Sequence, residues 1–174
     1  MTMNTKCAII TLSDRCARGE QEDRSGALLA ERAAECGLEV ARREVLPDDR
    51  AKLEKLLKEL CDKDRLALIV TTGGTGLSPT DVTPEATAAV VEKRIAGLEE
   101  ALHRSGEGKV PTTILSRAVA GVRGRTLIVN LPGSPGGVKD GWDILSKVVL
   151  HALKVIQGGV KDCRDDLAPG KKRS

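Results

Sequence analysis

The sequence predicts an α/β protein, a three-layer structure in which a mostly parallel, doubly wound sheet carries helices on both faces. Three observations carry this expectation. Four short apolar runs read as buried strands, stretches of helical periodicity lie between them, and glycine, proline and aspartate cluster directly after each run.

The first run is CAIITLS (7–13), and the polar segment SDRCARGEQEDRSG follows it. RSGALLAERAAEC (24–36) then reads as a helix closed by Gly37, because glycine adopts the left-handed backbone a helix end requires. The second run, LEVARREVL (38–46), alternates in part and leads into PDD. In DRAKLEKLLKELCDK, Leu53, Leu56, Leu57, Leu60 and Cys61 recur at helical spacing, so one face is expected to pack on the sheet. The third run, LALIVTT (66–72), ends in GGTGLSPTD, after which Pro84 suits a first helical turn with Thr83 as its N-cap. SGEGKVPTT (105–113) reads as a loop. The fourth run, TLIVNL (126–131), passes into NLPGSPGG, and a last long helix is expected over about 139–157, with Trp142, Leu145, Val148, Val149, Ala152 and Ile156 on one side.

A length of 174 residues fits one domain, expected over 1–161 with 162–174 as a loose C-terminal tail. With one Trp, no Tyr and no Phe, the core must be aliphatic, and an aromatic platform for stacking nucleic-acid bases is nearly excluded. The net charge of +3 is spread among interleaved acidic and basic residues, which argues against a phosphate-backbone partner; only PGKKRS at the end is locally basic. The five cysteines, Cys7, Cys16, Cys36, Cys61 and Cys163, are odd in number and never spaced CxxC. Reduced thiols in a cytoplasmic protein are expected, with no signal peptide and no membrane span.

In an open α/β sheet, the loops at the carboxyl ends of the strands converge on one edge, where ligands bind. The four unusual loops therefore meet. Gly73, Gly74 and Gly76 permit positive φ and leave no Cβ in the way, so that backbone N–H groups can approach an anion. The spacing matches neither GxxxxGK[ST] nor GxGxxG, and a tight structural turn explains the glycines equally well. Asp81 either interacts with the following helix dipole or holds a cation, and Asp48 either caps a helix beside Asp49 or does the same. Two carboxylates beside a phosphate-cradling loop suit Mg²⁺, which prefers one or two carboxylates plus phosphate oxygens and water. Asp14 and Asp23 add acidic candidates in the first loop, against the alternative of solvated charge and a serine cap. Asn130 and Ser134 offer side-chain hydrogen bonds of the kind a purine or pterin edge requires, around a turn set by Pro132 and Gly133. His103 and His151 lie within helical patterns and are poor acid/base candidates, and neither is placed to activate Cys16.

TTGGTGLSPTDVTPEAT, together with LSDR…EDRSG, VLPDD and PTTILSRAVAGVRGRTLIVNLPGSPGGV, closely resembles the MogA/MoaB family of molybdenum-cofactor biosynthesis, related to the G domain of gephyrin. The likeness runs from about residue 6 to 160, with its motifs in the family's order. It implies a trimeric α/β protein and a molybdopterin adenylyltransferase, which uses Mg²⁺ and ATP to adenylylate molybdopterin with release of pyrophosphate. Asp48 and Asp81 match the family's functional aspartates, as catalytic and metal-holding residues. Gly73, Gly74, Thr75 and Gly76 match a pterin-phosphate loop. Ser13, Asp14, Asn130, Pro132, Gly133 and Ser134 match nucleotide-side positions, and Ser105 and Ser116 align with pterin-contacting serines. The implied partners are the two small-molecule substrates, two further copies of the chain in a homotrimer, and transiently a molybdenum-insertion enzyme; no nucleic acid and no membrane is implied. Thr80 departs from the arginine many relatives have before the aspartate, and Leu98 from a common aromatic. A carrier that holds molybdopterin without using ATP is the alternative, and a generic nucleotide hydrolase would turn over ATP without pterin.

Overall fold

The computed structural model describes residues 3–159. Cys163, the basic PGKKRS end and the expected tail over 162–174 lie outside them. Elements run β1 (Lys6–Leu12), α1 (Asp14–Ala17), α2 (Arg24–Glu35), β2 (Glu39–Leu46), α3 (Arg50–Asp62), β3 (Leu68–Thr72), α4 (Thr83–Val90), β4 (Lys93–Arg94), α5 (Ala96–Arg104), a 3₁₀ turn (Pro111–Leu115), β5 (Ala120–Arg123), β6 (Thr126–Leu131), α6 (Pro135–Leu145) and α7 (Val149–Ile156). One six-stranded sheet has the order β2-β1-β3-β6-β5-β4. The pairs β1–β2, β1–β3 and β3–β6 are parallel, whereas β5–β6 and β4–β5 are antiparallel.

The period-two alternation of the strands divides the core into two layers. On one face Cys7 and Ile9 of β1, Leu68 and Val70 of β3, and Leu127, Val129 and Leu131 of β6 pack against α2, α6 and α7 through Leu29, Val138, Trp142, Leu145, Val149 and Leu153. On the other, Ala8, Ile10, Leu12, Ile69 and Ile128 meet Leu53, Leu56, Leu57 and Leu60 of α3 and Ala86 and Val90 of α4. The core is aliphatic as expected, and each fully buried leucine stabilises the fold by about 1.5–3 kcal/mol. The stripe over Leu53–Cys61 is buried throughout, and Gly37 follows α2 with a φ of +83°.

Four expectations are corrected. The strand β2 is not buried: it lies at the sheet edge and alternates exposed with half-buried residues, as its own alternation foreshadowed. The two antiparallel strands β4 and β5 were not expected; at two and four residues they are too short to show a period. The last long helix is two helices, broken between Leu145 and Val149, with Val148 exposed at 44 % and Leu153 buried instead. Thr83 is not an N-cap but the first residue of α4; Val82 takes the cap position and gives no side-chain bond. The Thr83 hydroxyl donates to the Gly73 carbonyl oxygen (2.9 Å) and so ties the helix start to the glycine loop.

The chain runs from β1 outward to β2 and then returns to β3 on the other side of β1. This reversal is a topological switch point, and it opens a crevice at the carboxyl ends of β1 and β3.

Candidate functional site at the switch point

A cleft of about 600 Å³ lies in that crevice. Leu12, Ser13, Cys16 and residues 21–25 line it from the first loop, Asp48 from the second, Thr72, Gly73, Gly74 and Asp81 from the third, and Gly133 and Pro135 from the fourth. All four loops therefore converge, as the sequence predicted, and residues 48, 81 and 133 share one cavity.

The third loop is shaped by its glycines. Gly73 has a φ of +95° and Gly74 of +63°, backbone conformations that side chains rarely adopt. A Cβ on Gly73 would stand 2.2 Å from the Leu12 carbonyl oxygen, so the loop leaves β3 pressed against the end of β1. Gly76 does not have positive φ, contrary to expectation; a Cβ there would lie 2.9 Å from Asp81 Oδ2 and push that carboxylate aside. Thr75 is buried, and neither it nor Gly76 lines the cleft.

Asp48 and Asp49 are neighbours with opposite roles. Asp49 caps α3, accepting from the Lys52 amide (3.0 Å), and this bond holds its carboxyl below the usual range. Asp48 caps nothing. Its Oδ2 accepts from the Asp14 amide (3.3 Å), while its own amide donates to Asp14 Oδ1 (3.1 Å). Its Oδ1 is buried and has no hydrogen-bond partner among the described residues. That oxygen lies against Gly74, whose Cβ would come within 3.1 Å of it. Burial pushes the Asp48 carboxyl up, the Asp14 amide opposes this, and the charges of Asp14 and Asp81 push it further up. Asp81 is held by the Ser78 amide, which donates to Oδ2 (2.8 Å).

An orphaned buried carboxylate oxygen, crowded by other carboxylates, is what a cation would satisfy. Among the described residues no group of three or more His, Cys, Asp and Glu side chains could hold a metal ion. The donor set therefore fits Mg²⁺ that takes the rest of its ligands from phosphate and water, and does not fit a cage made by the protein alone.

Several expected site residues lie elsewhere or act differently. Asn130 is withdrawn from the ligand side: it is fully buried, its Oδ1 accepts from the Val119 amide (3.1 Å), and its Nδ2 donates to Thr71 Oγ1 (2.8 Å) and Thr87 Oγ1 (2.9 Å). Asp14 does not line the cleft but orients Asp48. Ser13 lines it and caps α1, accepting from the Cys16 amide (3.2 Å). Ser134 caps α6 by accepting from the Gly137 amide (3.1 Å). The Pro132 carbonyl accepts from Thr72 Oγ1 (2.7 Å), and Pro132 does not line the cleft. Ser105 donates back to the Leu102 carbonyl (2.7 Å) and lines a separate cavity of about 350 Å³ with Gly97 and Ile144. Ser116 accepts from the Ala118 amide (3.4 Å), and it too does not line the cleft.

Sequence reasoning undervalued the EDRSG segment. Asp23 is the N-cap of α2, accepting from the Gly26 amide (2.8 Å) and from Thr11 Oγ1 (3.0 Å), with Arg43 beside it. Ser25 is not a cap; its hydroxyl donates to the Gly133 carbonyl (2.7 Å) and links the first loop to the fourth. The signal was an Asp three residues before a Gly, ahead of an apolar run. The four described cysteines form no disulfide, and burial pushes the thiols of Cys7 and Cys61 up to about 11. None of the described helices is long and apolar enough to cross a membrane.

Fold and cleft together define a class: an α/β protein with a left-handed glycine turn and an unsatisfied carboxylate oxygen at its switch point. The family of probable molybdopterin binding domains matches residues 8–152, and the chain belongs to that family, the MogA/MoaB proteins of molybdenum-cofactor biosynthesis. The molybdopterin adenylyltransferase of Helicobacter pylori strain J99 is 37% identical over 152 residues, 86% of each chain. The crystal structure of the molybdopterin biosynthesis enzyme MoaB from Thermus thermophilus superimposes with a TM-score of 0.84 at 43% identity, covering 88% of this chain and 97% of that one. The molybdopterin biosynthesis Mog protein of Mycobacterium ulcerans gives 0.83 at 47% identity, over 87% and 98%.

Proposed function

We propose that this protein adenylylates molybdopterin: it transfers AMP from ATP to the terminal phosphate of molybdopterin and releases pyrophosphate. The observation that carries the reading is the orphaned Asp48 oxygen, set against Gly74 in a cleft that Asp81 also lines. Relatives named molybdopterin adenylyltransferase at 37% identity support it.

The chemical difficulty is electrostatic, because a phosphate must approach the α-phosphorus of ATP and both partners are anions. Mg²⁺, when bound, neutralises phosphate oxygens; Asp48 and Asp81 are the residues that would hold it. The glycine loop lines the cleft at Gly73 and Gly74, where phosphate oxygens would lie against the turn; the Gly73 amide itself donates to the Leu131 carbonyl (3.2 Å) and holds the turn in place. Asp14 keeps Asp48 oriented, and Ser25 keeps Gly133 at the rim. These residues bind and align; none of them need transfer a proton, since the attacking phosphate is already ionised. Positioning and preorganised charge then supply the acceleration.

On this reading, residues 1–161 carry the catalytic domain of a cytoplasmic homotrimer, and the product passes to a molybdenum-insertion enzyme. The test is pyrophosphate release from purified molybdopterin, ATP and Mg²⁺. Asp81→Asn is expected to keep the fold and lower turnover by about 100-fold or more, the scale of losing one preorganised electrostatic contact; wild-type turnover in that variant removes Asp81 from the mechanism. A second reading has a specific support, since a structure named MoaB is as similar as those named Mog. It takes the protein as a molybdopterin carrier, and it predicts pterin binding with no pyrophosphate formed.

A further inference from the structure

Arg117 follows the 3₁₀ turn and reaches across to the loop between β3 and α4. Its amide donates to the Thr75 carbonyl (2.9 Å), its Nε to the Gly76 carbonyl (2.8 Å) and its Nη2 to the Asp81 carbonyl (3.0 Å). Its Nη1 pairs with the Glu85 carboxylate on the first turn of α4. One planar guanidinium therefore holds both ends of the 76–81 loop, at the glycine where it starts and the aspartate where it finishes. Burial alone would raise the Glu85 carboxyl, yet the guanidinium holds it below its usual range.

The arrangement is more than packing. The Arg117 side chain is about one-third exposed, and two of its three partners, the Gly76 and Asp81 carbonyls, belong to the loop that carries Asp81, while the third, Glu85, lies on the helix that follows. Gly76 and Asp81 are half-buried, so water can replace the lost bonds if the guanidinium is removed. Global stability would then change little, while the span from Gly76 to Asp81 would lose its template. A lysine cannot substitute, because a single ammonium lacks the fixed fork that reaches two carbonyls and a carboxylate together.

We propose that Arg117, held by Glu85, is a positioning residue that clamps the 76–81 loop and so sets the Asp81 carboxylate in the cleft facing Asp48. The proposal rests on the reading that Asp81 organises metal and phosphate.

The test compares wild type with Arg117→Met and Arg117→Lys by steady-state pyrophosphate release and by amide hydrogen exchange. In Arg117→Met, kcat is expected to fall about 10–100-fold, the scale of a small misplacement of a reacting group, with KM for ATP changed less than about 3-fold. The amides of Ser78, Asp81 and Thr83, which are bonded within or at the end of this loop, are expected to exchange at least about 10-fold faster, with β1 and β3 unchanged. Arg117→Lys should recover only part of both effects. An unaltered kcat overturns the proposal, and so does a lowered kcat accompanied by exchange that rises evenly through β1 and β3, which reports a merely structural arginine. Should Arg117→Met fail to fold, Glu85→Gln must show the same loop-confined pattern at smaller amplitude, and its absence overturns the proposal. Wild-type protein that releases no pyrophosphate defeats the adenylylation reading instead, and the loop amides alone then decide the clamp.

Discussion

The loops after β3 and β6 look alike in sequence and behave differently. Each begins at the end of a buried central strand, passes through glycine and ends in a helix with proline in its first turn. In the β3 loop the glycines serve conformation: Gly73 and Gly74 sit at positive φ, the helix start has no side-chain cap, and a buried carboxylate oxygen beside Gly74 has no partner. In the β6 loop the one glycine, Gly133, serves closeness. It does not have positive φ, Ser134 caps the helix, and a Cβ on Gly133 would lie 3.2 Å from Gly73 Cα. Left-handed glycine backbone thus gathers in the β3 loop, beside the unsatisfied Asp48 oxygen of the β2 loop, while the β6 loop is regular and acts as a wall.

This contrast can be broken most sharply at Gly73. Gly73→Ala adds a positive-φ cost of about 1–3 kcal/mol to a contact with the Leu12 backbone that cannot yield, so a loss on the order of 3 kcal/mol or more is expected in urea denaturation. A midpoint within experimental error of wild type would show that position 73 does not require glycine.

Asn130→Ala probes the ordered side of the comparison. It strips partners from the Val119 amide and from two buried threonine hydroxyls, and a single buried group left unsatisfied costs about 1–3 kcal/mol. Thermal unfolding should register this loss, while ATP affinity measured by calorimetry should stay within about 2-fold. A selective loss of ATP affinity would return Asn130 to the ligand side.

The smallest effect is expected at Asp48, and there the sign is informative. The folded protein raises the Asp48 carboxyl above its unfolded value, so its contribution to stability is greatest below the unfolded pKa and declines as pH rises through the folded one. Asp48→Asn removes that decline. The variant should match wild type in acid and become more stable than wild type as pH rises toward neutrality, even as activity falls. A stability difference that does not change with pH would mean that the Asp48 carboxylate is not crowded by its surroundings.

Much of this protein was legible before any coordinates. The strands β1, β3 and β6 are uninterrupted apolar runs, and the stripe from Leu53 to Cys61 could only be one face of a helix. The gathering of Asp48, Asp81 and Gly133 followed from the rule that loops at strand carboxyl ends meet. The break between α6 and α7 was not legible, because both halves keep one apolar phase and no proline or glycine marks the join at Ser146–Val148. Nor was the role of Asn130: a polar residue at a strand end beside a Pro-Gly turn reads as a ligand contact until its partners are known.

What the sequence by itself determined, then, is the order of the strands β1, β2, β3 and β6 with the helices α2 and α3 between them, the two aliphatic layers and the four chemically unusual loops, since periodicity and turn chemistry act between residues a few positions apart. Only the tertiary structure decided which polar groups are satisfied. Asn130 finds its partners 59 and 43 residues away, Arg117 reaches back 36 and 41 residues to the Asp81 loop, and Asp48 keeps one oxygen unpaired because of what α4 and the glycine turn leave beside it. Burial and partner choice are properties of surfaces brought together by folding, and the difference between a capping aspartate at 49 and an unsatisfied one at 48 exists only there.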